Sequence, residues 1–332
     1  MIVAERRAPR WGRPAIAAAG VGLLLTTALA LRVGSHAVAW RDLVGAGGAT
    51  GSEIVRELRM PRVLSALLVG AALAVAGALM QALTRNRLAG PSLMGLGPGA
   101  TLGVLGALVL ADPGALGLSL AALAGAAAGG GLVFAVAAAS ERGATPERMV
   151  LAGAIVGGLL TSLTGIVVLR LQLAEVLLYW TMGGLGQATW PQLWAGATTI
   201  AAGMALAAAL ARPVTVLLTG EATARSLGVN VGRVRALGAV AVLLLAGGAV
   251  ALAGPVGFVG VLVPNACRRW SGPGLSRLLP LSALAGAWLV LAADLAARAL
   301  VGPIIDVPLG VMTALLGAPA VVAIALRGAR SA

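Results

Sequence analysis

Few side chains in this sequence can do chemistry, and their scarcity decides much. There is one histidine, His36, and one cysteine, Cys267, so neither a multi-ligand zinc site nor a disulfide framework can be assembled. All 24 basic residues are arginine, whereas a phosphate-binding loop of the Walker A kind needs a lysine to reach the β- and γ-phosphates. The chain therefore carries no such ATP site. Among 11 acidic residues, Asp294 alone lies well inside an apolar run, and a carboxylate there is a functional hypothesis by default. Arg298 follows four residues later, the favourable acid-then-base order on a helix. That spacing predicts an intrahelical pair that positions Arg298, in preference to a proton relay. Arg59 and Arg62 stand three apart on one helical face, the geometry for a shared acidic partner. Each offers a bidentate fork for a carboxylate, with snorkelling to lipid headgroups as the plainer alternative.

The elements that must carry these residues follow from composition. Of 332 residues 59% are hydrophobic and 11% charged, and the mean hydropathy is +0.98, which excludes an ordinary water-soluble domain. Each membrane span takes about 20 apolar residues, so the length holds about eight to ten spans. Ten apolar stretches are visible, at 14–31, 58–83, 92–110, 115–139, 149–169, 193–210, 234–253, 256–267, 279–300 and 308–326. The first follows Arg6, Arg7, Arg10 and Arg13. It is too long for a signal core and has no clear small-residue cleavage site, so it reads as a retained helix. The fold class is all-α, a polytopic membrane protein with about ten transmembrane helices and both termini cytoplasmic. Most arginines then fall in cytoplasmic connections, among them Arg85, Arg87, Arg142, Arg148, Arg212, Arg233, Arg268 and Arg277, as the positive-inside rule requires. The net charge of +13 thus reports topology and not nucleic-acid binding. The stretch 256–267 is short and reads as a half-length helix packed inside protein. Glycines at small-xxx-small spacing, such as Gly99/Gly103, Gly125/Gly129 and Gly153/Gly157, read as helix-packing positions.

Two outer connections are longer than turns. One, 32–57, contains His36, Trp40, Asp42, Glu53 and Glu57 and has room for a short amphipathic piece. The other, 170–192, contains Glu175, Tyr179, Trp180 and Trp190, aromatics suited to the membrane interface. On the inner side, residues 212–235 read RPVTVLLTGEATARSLGVNVGRVR. Here Thr219 can cap a short helix, Glu221 sits in its first turn, Arg225 lies four residues on, and Gly228 can take the left-handed C-terminal position. A complete two-turn capped helix in an inner loop presents a surface for another protein to grip, against the plainer reading of a solvated connector.

These segments resemble a known family over nearly the whole chain. RMPRVLSALLVGAALAVAGALMQALTRNRLAGPSLMGLGPGA (Arg59 to Ala100), YWTMGGLGQATW (Tyr179 to Trp190), GEATARSLGV (Gly220 to Val229), GPVGFVGVLVPNACRR (Gly254 to Arg269), LLPLSALAGAWLVLAADLAAR (Leu278 to Arg298) and DVPLGVMTALLGAP (Asp306 to Pro319) stand in the right order. Together they resemble the permease subunits of ATP-binding-cassette (ABC) importers for iron-siderophores, haem and cobalamin. The resemblance implies a single transmembrane permease domain over 1–332 with its coupling segment at 212–235. It implies a second permease subunit, taken as an identical chain with a different chain as the alternative, plus two cytoplasmic ATPase subunits and an external substrate-binding protein. The setting would be the bacterial cytoplasmic membrane. No cofactor belongs to this chain, since ATP and Mg would sit on the ATPase, and no enzyme activity of its own is expected.

Carried over residue by residue, Gly220, Glu221, Ala222, Ala224, Arg225, Leu227 and Gly228 would dock in a groove of the ATPase. Arg59, Arg62 and Arg298 would receive acidic side chains of the binding protein, and Asn86 and Leu88 would narrow the inner end of the pathway. Three departures stand out. Arg87 replaces a frequent proline, which implies a less rigid gate loop. Asn265 replaces a common histidine after Val-Pro, a feature leaning to siderophore branches, while Met-Gly-Gly at 182–184 leans to the cobalamin branch. The cargo is expected to be a ferric siderophore or haem, with cobalamin as the alternative. An ion-coupled secondary transporter, the more distant alternative, should show acids near the midplane and matching broken spans, and only Asp294 answers to that. An intramembrane enzyme would need a constellation that one His and one Cys cannot supply.

Overall fold

The computed structural model describes residues 13–34, 49–111, 113–139, 146–172, 183–186, 188–272, 274–301, 308–315 and 317–319. His36, Trp40, Asp42, Glu175, Tyr179, Trp180, Arg6, Arg7 and Arg10 lie outside them. All regular elements among the described residues are helical. They are α1 (Arg13–Arg32), α2 (Ala49–Glu53), a π-helical stretch Ile54–Arg59, α3 (Met60–Thr84), a 3-10 turn Pro91–Met94, α4 (Leu96–Leu110), α5 (Ala115–Ala138) and α6 (Pro146–Leu171). There follow α7 (Trp190–Leu217), α8 (Glu221–Ser226), α9 (Val231–Ala253), α10 (Val259–Ser271) and α11 (Leu275–Val301). Residues 309–315 and 317–319 are also helical.

Six helices are long and apolar enough to cross a membrane, Gly51–Thr84, Leu116–Ala138, Arg148–Leu171, Trp190–Leu217, Val231–Ala253 and Leu275–Ala299. Shorter apolar helices at Gly20–Arg32, Leu96–Leu110 and Leu309–Pro319, together with α10, account for the remaining expected stretches. Helix is the form such sequences must take, since backbone groups facing hydrocarbon can be satisfied only within the segment.

The core is α3, whose most apolar stretch is 78% buried against 28% for that of α6. Glycines let its neighbours close in. A Cβ on Gly70 would lie 2.1 Å from the carbonyl oxygen of Gly286 in α11, and one on Gly77 would lie 1.8 Å from that of Gly260 in α10. The expected glycine packing is also seen between α4 and α5, where Gly99 and Gly103 meet Gly125. Aliphatic side chains of α1, α5 and α6, such as Leu24, Leu132, Leu151, Ile155 and Ile166, point outward.

One boundary differs from the sequence reading. The helix leading into α3 begins at Ala49 and runs without a break through the π-helical turn. The widening precedes Pro61, which lacks the N–H that would bond the Glu57 carbonyl. The short stretch is indeed the 13-residue α10, with Val259, Gly260, Val263, Pro264, Cys267 and Ser271 on its buried face.

Candidate functional site

Polar side chains gather at the two ends of this bundle. At one end lies α8, between the C-terminus of α7 and the N-terminus of α9. Its N-cap is Gly220, at φ +128°, and Thr219 does not cap it. The Thr219 hydroxyl instead donates to the Val216 carbonyl at 2.8 Å, because the chain turns at Gly220, one residue later than the sequence implied. The C-terminus is closed as expected. Gly228 takes φ +81°, its N–H bonds the Arg225 carbonyl at 3.0 Å, and the Val229 N–H bonds the Ala224 carbonyl at 2.9 Å. Those two bonds are the paired closure of a Schellman motif.

Glu221 holds α8 in place with both carboxylate oxygens. One accepts from Arg225 at 3.1 Å along the helix and the other from Arg235 of α9 at 2.5 Å. Ala224 is fully buried beneath the helix. Ala222, Arg225 and Leu227 face outward, Leu227 being 66% exposed. The arrangement is a rigid, partly apolar knob with a cation on its rim.

The loop after α3 lies at the same end. Arg85 leaves the helix at φ +52° and donates to the Leu217 carbonyl at the end of α7, at 2.7 Å. Asn86 Oδ1 accepts from the Leu88 N–H at 2.9 Å, an Asx turn, and Leu88 projects outward. Asn265 of α10 donates to the Arg87 carbonyl and the Val261 carbonyl, each at 2.8 Å. The residue that departs from the family's histidine thus ties down the loop that lacks its proline. Beneath it, buried Gln81 donates to the Gly260 carbonyl at 3.2 Å and accepts from Arg268 at 3.2 Å.

At the opposite end Asp294, 2% exposed, accepts from Arg62 through one oxygen at 2.9 Å and pairs with Arg298 through the other at 2.7 Å. The latter is a close ion pair without hydrogen-bond alignment. Arg298 also donates to the Ala30 and Val33 carbonyls, each at 3.0 Å. Arg59, 6% exposed, donates to the Leu31 carbonyl at 2.8 Å and to that of Arg32. Both arginines thereby satisfy carbonyls at the C-terminus of α1, groups that no helix can bond internally. The structure places Arg59, Arg62 and Arg298 at one end of the bundle, Arg59 on carbonyls of α1 and Arg62 and Arg298 on Asp294. Nearby, Trp190 at the start of α7 donates to the Arg56 carbonyl at 3.1 Å and stacks on Trp194.

This arrangement has relatives. The FecCD transport family matches residues 22–327. The chain belongs to that family. It is 40% identical to the Fe(3+)-citrate import system permease protein YfmD of Bacillus subtilis, over 85% of this chain and 84% of that one. It is 38% identical to the cobalamin import system permease protein BtuC of Halobacterium salinarum, over 81% and 72%. Among solved structures, a metal-chelate type ABC transporter in an inward-facing conformation superposes with a TM-score of 0.81 at 26% identity, covering 92% of this chain and 97% of that one. FecCD-family chains are permeases, and this one is a multi-pass protein of the cytoplasmic membrane.

Sequence reasoning gave no partner to four polar residues that this FecCD-family structure employs: Gln81, Arg85, Arg235 and Arg268. Gln81 carried a usable signal, a lone amide inside an apolar span. Arg235 carried none, because its partner Glu221 lies fourteen residues away across a turn.

Proposed function

We propose that this chain is one permease subunit of an ABC importer that passes an iron complex, a ferric siderophore or haem, from an external binding protein into the cytoplasm. The whole of 1–332 acts as one permease domain, and two separate ATPase subunits hold the ATP and Mg. The observation that carries the reading is α8, a capped knob held by Glu221 and left exposed beyond the membrane-spanning helices. The α8 end faces the cytoplasm with both termini, since Arg85, Arg87, Arg225, Arg233, Arg235 and Arg269 collect there. Gly220, Glu221, Ala222, Ala224, Arg225, Leu227 and Gly228 form the ATPase contact, and Asn86 and Leu88 form the inner constriction.

At the outer end, Arg59, Arg62 and Arg298 mark the docking point for acidic side chains of the binding protein, which would compete with the α1 carbonyls and with Asp294 that hold these guanidiniums here. The second permease subunit is an identical chain. Asp294 spends both oxygens on arginines, which favours this reading over a proton-coupled carrier. Cobalamin is the second cargo reading, favoured by the likeness to cobalamin import permeases. Uptake into proteoliposomes containing the permease, its ATPase and its binding protein distinguishes them. Labelled ferric siderophore or haem should accumulate with ATP, and accumulation of cobalamin alone would overturn the iron assignment.

A further inference from the structure

A cleft of about 460 Å³ opens between α3, α7 and α11, with Val75 on its floor. Its walls are two helical stripes. Met204, Ala208 and Ala211 lie at i, i+4 and i+7 on α7, and Ser276, Leu279 and Ala283 lie at i, i+3 and i+7 on α11. Alanine keeps the walls apart where leucine would fill the gap. Toward the α8 end the cleft is closed by Arg212, which makes no hydrogen bond or ion pair among the described residues. The arginine is exposed, in a chain that elsewhere gives Arg59, Arg62, Arg235 and Arg298 specific partners.

Two prolines add polar groups to the same mouth. Pro213 and Pro280 lie inside α7 and α11, and each lacks the N–H that would bond the carbonyl four residues earlier. Those carbonyls belong to Ala209 and Ser276, both of which line the cleft. From Arg212 to Met204 the cleft rises about 12 Å at ~1.5 Å per residue. That is within the ~15 Å of one leaflet's hydrocarbon. The site therefore offers a cation and two hydrogen-bond acceptors at headgroup level, above a dry apolar slot one leaflet deep.

We infer that this cleft binds an anionic phospholipid of the cytoplasmic leaflet. Its phosphate pairs with Arg212, its hydroxyl-bearing headgroup donates to the freed carbonyls, and one acyl chain lies along the alanine wall. Phosphatidylglycerol has this chemistry, whereas phosphatidylcholine lacks both the net charge and the donors.

The test is native mass spectrometry of the full-length chain in detergent, titrated with phosphatidylglycerol or phosphatidylcholine. The wild type should retain phosphatidylglycerol preferentially. Arg212→Gln should lose about fivefold in retention of that lipid, the worth of one arginine against an anionic headgroup, while Arg212→Lys restores most of it. Ala208→Phe should lower retention of phosphatidylglycerol by filling the slot. An unchanged melting temperature for Arg212→Gln establishes that the loss is local. Equal phosphatidylglycerol retention by the wild type and Arg212→Gln overturns the site. So does disulfide capture of a second permease chain in native membranes by a cysteine placed at Ala208, which makes the cleft a subunit interface.

Discussion

At the outer end Asp294 divides its two oxygens between Arg62 and Arg298 while almost wholly buried. At the inner end Glu221 divides its own between Arg225 and Arg235 in contact with water. The two constellations have the same stoichiometry and opposite energetics. A buried carboxylate that loses its role leaves guanidiniums without compensation, at a cost of about 3–5 kcal/mol. An exposed pair of the same geometry contributes about 0–1 kcal/mol. The outer cluster thus holds α1, α3 and α11 together. The inner one orients α8 while placing little of the fold's stability on it, as suits the proposed ATPase contact.

The sharpest way to break this comparison is to neutralise each acid in turn. Asp294→Asn should lower the detergent melting temperature strongly and reduce the folded yield. A melting temperature within a degree or two of wild type would mean that the outer cluster is not an anchor. Glu221→Gln should leave melting nearly unchanged and instead reduce ATP-driven uptake about tenfold or more, because α8 loses its tether to α9. Unaltered uptake would reduce α8 to a connector. A smaller effect is expected from Gly228→Ala, which forces a side chain into a left-handed position at about 1 kcal/mol. It should weaken co-purification of the ATPase without preventing it. Smallest is Asn265→Ala, which removes the amide holding the Arg87 carbonyl and costs about 1 kcal/mol. Its readout is passive leak of a small labelled solute through ATP-free proteoliposomes, which should rise if that amide steadies the loop of Asn86 and Leu88.

How much of this was legible in sequence differs between local and distant partners. The apolar stretches gave the helix order, because hydrophobic length is read along the chain. The short α10 was foreseen for the same reason. The pair Asp294 and Arg298 was visible as an i,i+4 spacing, as were Glu221 and Arg225. Arg62 as a partner of Asp294 was not, since 232 residues separate them. Nor could any local rule show that Arg59 caps the last carbonyls of α1. Thr219 failed as a cap because local preference was met one residue later by Gly220, whose φ of +128° suits glycine. Asn265, read only as a departure from a common histidine, gains its meaning only when α10 lies against the loop after α3.

The central claim is that this FecCD-family chain is driven by a partner ATPase through α8. The most direct measurement is ATP hydrolysis by the ATPase reconstituted in lipid with the permease and its binding protein, with and without ferric siderophore. A second arm carries Glu221→Arg combined with Arg225→Glu. Hydrolysis should rise with the ferric ligand in the wild type and lose that response in the swapped variant. A chain that recruits no ATPase, or a swapped variant that responds as the wild type does, would contradict the claim.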